Sequence, residues 1–177
     1  MAYTQHQQQA GGIVPRCGII TLSDTRTPET DTSGQLIKQL LIDDNAVVDA
    51  YTLIRDEPTE LRAILNDWLA SPRIDVIITN GGTGISGRDQ TVEVIASVIQ
   101  TPLPGFGELF RMLSYEQIGS GALLSRAMAG IARGGGRGKV IFALPGSTKA
   151  VALAMEKLIL REYRHILREL NKDSGEP

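Results

Sequence analysis

The stretch "DVIITNGGTGISGRDQTVEVIASVI", residues 75–99, carries the pattern that decides the fold. Asp75–Thr79 is a short apolar run without polar alternation, as expected of a strand covered on both faces. Four glycines follow within the next eight residues, at positions 81, 82, 84 and 87. From Thr91 to Ile99, Val94, Ile95 and Val98 recur at helical spacing. A strand, a glycine turn and a helix in succession predict parallel pairing within an α/β sheet.

The same alternation runs outward in both directions. CGIITL (Cys17–Leu22), VVDAYTL (Val47–Leu53) and KVIFAL (Lys139–Leu144) are further strand candidates. Helices are expected over Gly34–Ile42, with Asp31–Ser33 as caps, and over Thr59–Leu69, just after Pro58. Two more are expected over Gly105–Ile118 and, as one continuous helix, Ser147–Leu170. TPLPGFGELF reads as a loop entering a helix, and Gly134–Gly138 as a tight turn between two β segments. The prediction is one domain built on a mostly parallel, doubly wound sheet. Such sheets bind ligands outside the carboxyl ends of their strands. SDTRT, IRDE, NGGTG and PGST would gather there, bringing Ser23, Asp24, Asp56, Thr83, Asp89 and Ser147 to one edge.

Composition narrows the function. The 177 residues, 42% hydrophobic, can bury a real core. Eighteen basic against 20 acidic residues argue against a broad nucleic-acid surface and leave room for a small anionic ligand. Cys17 is the only cysteine, so neither an internal disulfide nor a cysteine-rich zinc site can form. No apolar run approaches the roughly 20 residues that span a bilayer. Residues 1–14 read as a flexible polar tail, 15–170 as the domain and 171–177 as a second tail, and the expected location is the cytoplasm.

Three readings compete for the glycine turn. Gly82, Gly84 and Gly87 have the GxGxxG spacing of a dinucleotide cradle, but the turn follows the third strand and no acid ends a next strand about 20 residues on. A P-loop would need Gly-Lys-Ser/Thr at its end, which is missing. In the second reading the glycines only permit a tight bend, and Asp89 caps the following helix. In the third, backbone N–H groups at the helix start hold phosphate. Asp56 and Asp89 then supply oxygen ligands to Mg²⁺, which takes one or two protein carboxylates plus substrate phosphates. Thr83 and Arg88 would add phosphate contacts. Glu108 and Asp24 could reach such a site or serve as ordinary helix and loop acids. Cys17 and Trp68 read as packing residues, and His6 and His165 as surface or subunit contacts.

"GGTG", "RDQT", "PGFGELFRMLS", "LSRAMAG" and "ALPGSTKA" resemble, in order and spacing, the MoaB/Mog family of molybdenum cofactor biosynthesis proteins. "SDTRTPETDTSG" is most similar to the MoaB branch, and the likeness runs from about Pro15 to Leu170. The resemblance implies a three-layer α/β fold that binds molybdopterin. It also implies transfer of AMP from MgATP to the pterin phosphate, with release of pyrophosphate. The family's two functional aspartates correspond to Asp56 of "IRDE" and Asp89 of "GRDQT". Its ligand contacts correspond to Gly81, Gly82, Thr83 and Gly84, to Ser125 and Arg126, and to Pro145, Gly146 and Ser147. Val92 stands where the family often has proline and Asn80 where threonine is common, which alters turn rigidity and leaves both carboxylates in place. A homo-trimer or homo-hexamer is implied, with other molybdenum cofactor enzymes as protein partners. A non-catalytic molybdopterin-binding or scaffold protein of the same fold is the alternative function.

Overall fold

The computed structural model describes residues 12–134 and 136–172. In chain order they form β1 (Arg16–Leu22), α1 (Thr32–Asp43), β2 (Val47–Ile54), α2 (Pro58–Ala70), β3 (Val76–Asn80), α3 (Thr91–Val98) and β4 (Thr101–Pro102). Then come α4 (Pro104–Ile118), a 3₁₀ segment (Gly119–Leu124), β5 (Met128–Gly134), β6 (Arg137–Leu144), α5 (Thr148–Ala154), a π turn (Met155–Ile159) and α6 (Leu160–Asn171). One six-stranded sheet has the order β2-β1-β3-β6-β5-β4. β2, β1, β3 and β6 run parallel, while β5 pairs antiparallel with both β6 and β4.

The uninterrupted apolar runs are explained by two cores. Along β1, Cys17 and Ile19 face one core, whereas Ile20 and Leu22 face the other. β3 and β6 divide in the same way: Val76, Ile78, Val140 and Phe142 against Ile77, Ile141 and Ala143. Alternate residues of a strand point to opposite faces, so only a sheet covered on both sides demands apolar residues at every position. Ile37 and Leu41 of α1, Phe110 of α4 and Val151 of α5 fill the first core; Leu61 and Leu65 of α2 with Val94 and Ile95 of α3 fill the second. The result is the expected three-layer, doubly wound arrangement. Trp68 packs against Gly18, where a Cβ would lie 2.6 Å from the ring atom Cε3, so the indole packs α2 onto β1.

Three expectations change. The last helix is not continuous: Met155–Ile159 is a π turn. Val151, Met155, Ile159, Tyr163 and Leu167 are all buried at intervals of four, wider than the about 3.6 residues of an α-helical turn. A wide turn absorbs that drift and keeps the stripe on the sheet. Second, TPLPGF contributes a two-residue edge strand, Thr101–Pro102, which is too short to show a period and places its proline at an edge. Third, Ile13 packs on the first core and its carbonyl accepts from Arg164 Nε at 3.2 Å, so the folded body begins before Pro15. Residues 1–11, with His6, and 173–177 lie outside the described residues. No helix among the described residues is long and apolar enough to cross a membrane.

Candidate functional site

Because β1, β2, β3 and β6 are parallel, the segments after them converge at one sheet edge. The glycine turn sits at its centre. Gly81 has φ +103° and Gly82 φ +61°, conformations that favour glycine. A Cβ on Gly81 would collide with the Leu22 carbonyl, and one on Gly146 would lie 3.2 Å from Gly81 Cα. Backbone therefore packs on backbone where the β1, β3 and β6 loops meet.

Gly82 faces the acidic side. A Cβ there would strike Thr91 Oγ1 and lie 2.9 Å from Asp56 Oδ1. Both of those oxygens are buried and without a hydrogen-bond partner, as are Thr79 Oγ1 and Asn80 Oδ1. Burial, then the charges of Asp24 and Asp89, push the Asp56 carboxyl above its ordinary range, against an opposing effect of Arg88. Asp24 Oδ1 accepts from the Asp56 N–H at 3.3 Å, and its other oxygen pairs with Arg88 at 2.8 Å. Asp24 and Arg88 are thus engaged with each other beside the cluster. Ser23 Oγ accepts from Thr25 N at 3.3 Å and Arg26 N at 3.2 Å, shaping the loop.

Asp89 behaves differently from its sequence-based alternative as a helix cap. The residue before α3 is Gln90, which makes no side-chain cap. Asp89 Oδ2 instead accepts from Ser86 N at 2.9 Å and Ser86 Oγ at 2.5 Å. The Ser86 hydroxyl bond, followed by backbone N–H groups of Ser86 and Gly84 and the charge of Arg126, holds the carboxyl below its usual range despite some burial. Asp89 closes the glycine turn on itself. Arg126 locks the same loop from β5's side, donating to the Thr83 carbonyl at 3.3 Å, to the Asp89 carbonyl and to Glu93.

On the β6 side, Ser147 caps α5, its Oγ accepting from Ala150 N at 3.2 Å. Ser125 Oγ accepts from Ala127 N at 3.4 Å. Glu108 is exposed on α4 and lines a cleft of about 320 Å³ together with Val92, Arg111 and Ala127. Among the described residues no group of three or more His, Cys, Asp or Glu converges as a metal cage.

Residues 18–165 match the family model described as "Probable molybdopterin binding domain". The chain is 47% identical to molybdenum cofactor biosynthesis protein B of Bacillus anthracis, covering 97% of this chain and 99% of that one. Identity to the Bacillus subtilis protein of the same name is 45%, over 98% and 99%. A crystal structure of a molybdenum cofactor biosynthesis protein B superposes with TM-score 0.85 at 48% identity, covering 90% of this chain and 97% of that one. The tungsten cofactor synthesizing protein MoaB from Pyrococcus furiosus follows at 0.82 and 38%, over 90% and 98%. The chain belongs to this family of molybdenum cofactor biosynthesis proteins.

Within the family fold, strand ends bring together Asp24, Asp56, the glycine turn, Arg88, Asp89, Arg126 and Pro145–Ser147, while Glu108 lines a cleft with Val92 and Ala127. No sequence pattern marks Arg26, and Asp31 and Ser33 read from sequence only as cap candidates. Asp31 does cap α1, accepting from Gly34 N at 3.0 Å, but it is fully buried and also accepts from Tyr51 Oη at 2.6 Å. Burial raises its carboxyl, yet hydrogen bonds from Thr21, Tyr51 and Gly34 and the charge of Arg26 outweigh that and hold it low. The available signal was an aspartate fixed between two threonines in a loop after a strand, which is too common a pattern to single out.

Proposed function

We propose that this protein transfers AMP from MgATP to the terminal phosphate of molybdopterin, giving adenylylated molybdopterin and pyrophosphate. A pterin phosphate oxygen attacks the α-phosphorus of ATP, and the bond from that phosphorus to the β-phosphate bridging oxygen breaks. The bonding pair leaves with pyrophosphate. The nucleophile is already an anion, so no general base is required; position and charge neutralisation must be supplied.

One observation carries the reading: the unpartnered, buried Asp56 oxygen, in a carboxyl whose ionised form is disfavoured by burial, Asp24 and Asp89, at the mouth of a glycine turn. A carboxylate kept in such company is what a cation would relieve. The residues fit a magnesium ion that takes Asp56, with support from Asp89, and completes its shell with substrate oxygens. Bound there, the ion would neutralise triphosphate charge. Asp89, tied to Ser86 and Gly84, keeps the turn's amides in place for anionic oxygens. Purified protein given MgATP and molybdopterin should form the AMP adduct and pyrophosphate in equal amounts. Binding of molybdopterin without turnover would instead establish the scaffold reading.

Self-association belongs to the same proposal. Leu109, Met112, Tyr115 and Ile118 recur every three residues along α4 and are exposed, and Leu123 and Leu124 extend the patch. Light scattering should show a trimer or hexamer; a monomer at micromolar concentration would overturn this.

A further inference from the structure

Two of the buried, unpartnered oxygens lie on the bare face of one glycine. A Cβ on Gly82 would lie 2.2 Å from Thr91 Oγ1 and 2.9 Å from Asp56 Oδ1, so the missing side chain leaves the two oxygens in one space. Thr91 is 3% exposed and opens α3, whose Val94 and Ile95 are fixed in the second core. Its own N–H donates to the Gly82 carbonyl at 3.1 Å, which ties the threonine to that glycine. The hydroxyl has no such tie. A threonine within a helix can give its proton to the carbonyl four residues back. At Thr91 that carbonyl is Gly87's, which accepts from Gln90 Nε2 at 3.1 Å instead.

Each oxygen lacks what the other offers. An ionised carboxylate only accepts, and a hydroxyl carries one proton to donate. Asp56 and Thr91 line the same crevice, walled by Leu22, Pro58 and Leu61. The other side-chain donors on it are engaged elsewhere: Arg88 pairs with Asp24 at 2.8 Å, and Gln90 holds the Gly87 carbonyl. The Thr91 hydroxyl remains. Turning the carboxylate toward it gives Oδ1 its donor and fixes the carboxylate plane. A carboxylate that binds a metal ion is itself oriented by hydrogen bonds, and losing such a partner weakens the metal site.

We propose that Thr91 is a positioning residue: its hydroxyl donates to Asp56 Oδ1 in the cation-bound protein and so aims the second carboxylate oxygen, Oδ2, at the ion. The inference rests on reading Asp56 as a cation ligand. Thr91 touches neither the ion nor the substrate and acts through Asp56 alone. The bare face of Gly82 is what brings donor and acceptor into reach. A purely structural role, starting α3, would move stability and leave the ion affinity of the folded protein alone.

Two variants separate these roles. Thr91→Val keeps the branched shape and deletes the hydroxyl, whereas Thr91→Ser keeps the hydroxyl. Mn²⁺, a paramagnetic stand-in for Mg²⁺, is titrated into the full chain alone and with α,β-methylene-ATP, which cannot release pyrophosphate. Electron paramagnetic resonance reads the free ion. Thr91→Val should bind Mn²⁺ about 10- to 100-fold more weakly, and Thr91→Ser should stay close to the parent. The Mg²⁺ concentration that half-saturates AMP transfer should rise with that loss. Without metal, the melting temperature of Thr91→Val should hold or rise, because a buried hydroxyl with no partner has been removed. On an Asp56→Asn background the same change should cost no further affinity. A folded Thr91→Val that binds Mn²⁺ as the parent does would overturn the proposal. So would a Thr91→Ser as weak as Thr91→Val, since packing would then be the cause. A parent that binds Mn²⁺ under neither condition, or an Asp56→Asn variant that binds it undiminished, would overturn the cation reading of Asp56 and this inference with it. If Thr91→Val fails to fold, Thr91→Ala removes the same hydroxyl and is judged by the same titration.

Discussion

At the amino ends of the strands, Lys139 is 2% exposed, yet its ammonium donates to the carbonyls of Ser71 and Ile74. Arg16 is bonded to Asp75 and the Pro72 carbonyl, and Arg73 meets Asp49 at 3.0 Å on both oxygens. At the carboxyl ends the same sheet buries Asp56 Oδ1, Thr79 Oγ1, Asn80 Oδ1 and Thr91 Oγ1 with no partner. A buried polar group without a partner costs free energy, so folding alone would not arrange four of them at one edge. The contrast separates polarity that completes the fold from buried polarity that the proposed function assigns to a ligand.

The largest effect should come from filling the open end. Gly82→Val puts a branched side chain where Thr91 Oγ1 and Asp56 Oδ1 already stand, at a φ of +61° that valine resists. Both cores lie below the turn, so the variant should fold while MgATP and molybdopterin binding fall by at least about 100-fold, roughly 2.7 kcal/mol. Undiminished affinity in a folded variant would remove the glycine turn from the site.

Next come the two aspartates. Asp56→Asn should keep or raise stability, since it relieves a disfavoured charge, while adenylylation falls by about 100-fold or more. Asp89→Asn should lose activity to a similar degree but also loosen the loop. Asparagine keeps one acceptor, whereas its NH₂ cannot accept the Ser86 and Gly84 donors. Proteolysis within residues 84–90 alongside turnover would show the difference. An active, unaltered Asp89→Asn would reduce that residue to a loop fastening.

The closed end should respond the other way. Lys139→Met leaves two carbonyls without their shared donor, which costs about 1–3 kcal/mol of stability. Turnover of the folded variant should match the parent. A drop in kcat at unchanged melting temperature would break the division between the two ends.

The sheet, its layers and the grouping of strand-end segments were legible because they follow from local pattern. Runs such as CGIITL and DVIIT must be covered on both faces, and parallel strands must deliver their loops to one edge. Asp56 stood out as an acid just after a strand, and Asp89 as one closing the glycine turn that follows another. What stayed hidden depends on contacts between distant residues: Arg26 and Gly146 are 120 positions apart, and no period connects them. The π turn was equally silent, because Leu158, Ile166 and Leu170 sit beside the buried stripe and mimic a regular helix. Asp89's true partner, Ser86, lay three residues upstream, where a capping expectation looks downstream.

The smallest predicted effect tests the open end through the titration of its two carboxyls. Asp56 and Asp89 are displaced in opposite directions, one above and one below the ordinary carboxyl value of 3.8. A folded pKa above the unfolded one means that the folded state keeps a proton the unfolded chain has lost. Asp56 therefore favours folding at low pH and withdraws that contribution as pH rises from about 3.8 through its folded value. Asp89 does the reverse: its contribution is present above the unfolded value and disappears as pH falls through the lower, folded one. Denaturant unfolding of parent, Asp56→Asn and Asp89→Asn at about pH 4 and about pH 7 should reveal the two signs. Moving to neutral pH should favour Asp56→Asn relative to the parent and disfavour Asp89→Asn. MgATP should abolish the Asp56 difference, because a bound cation stabilises the ionised carboxylate that the free protein disfavours. Parallel pH profiles for the two variants, with or without MgATP, would mean that Asp56 feels neither its acidic neighbours nor a metal.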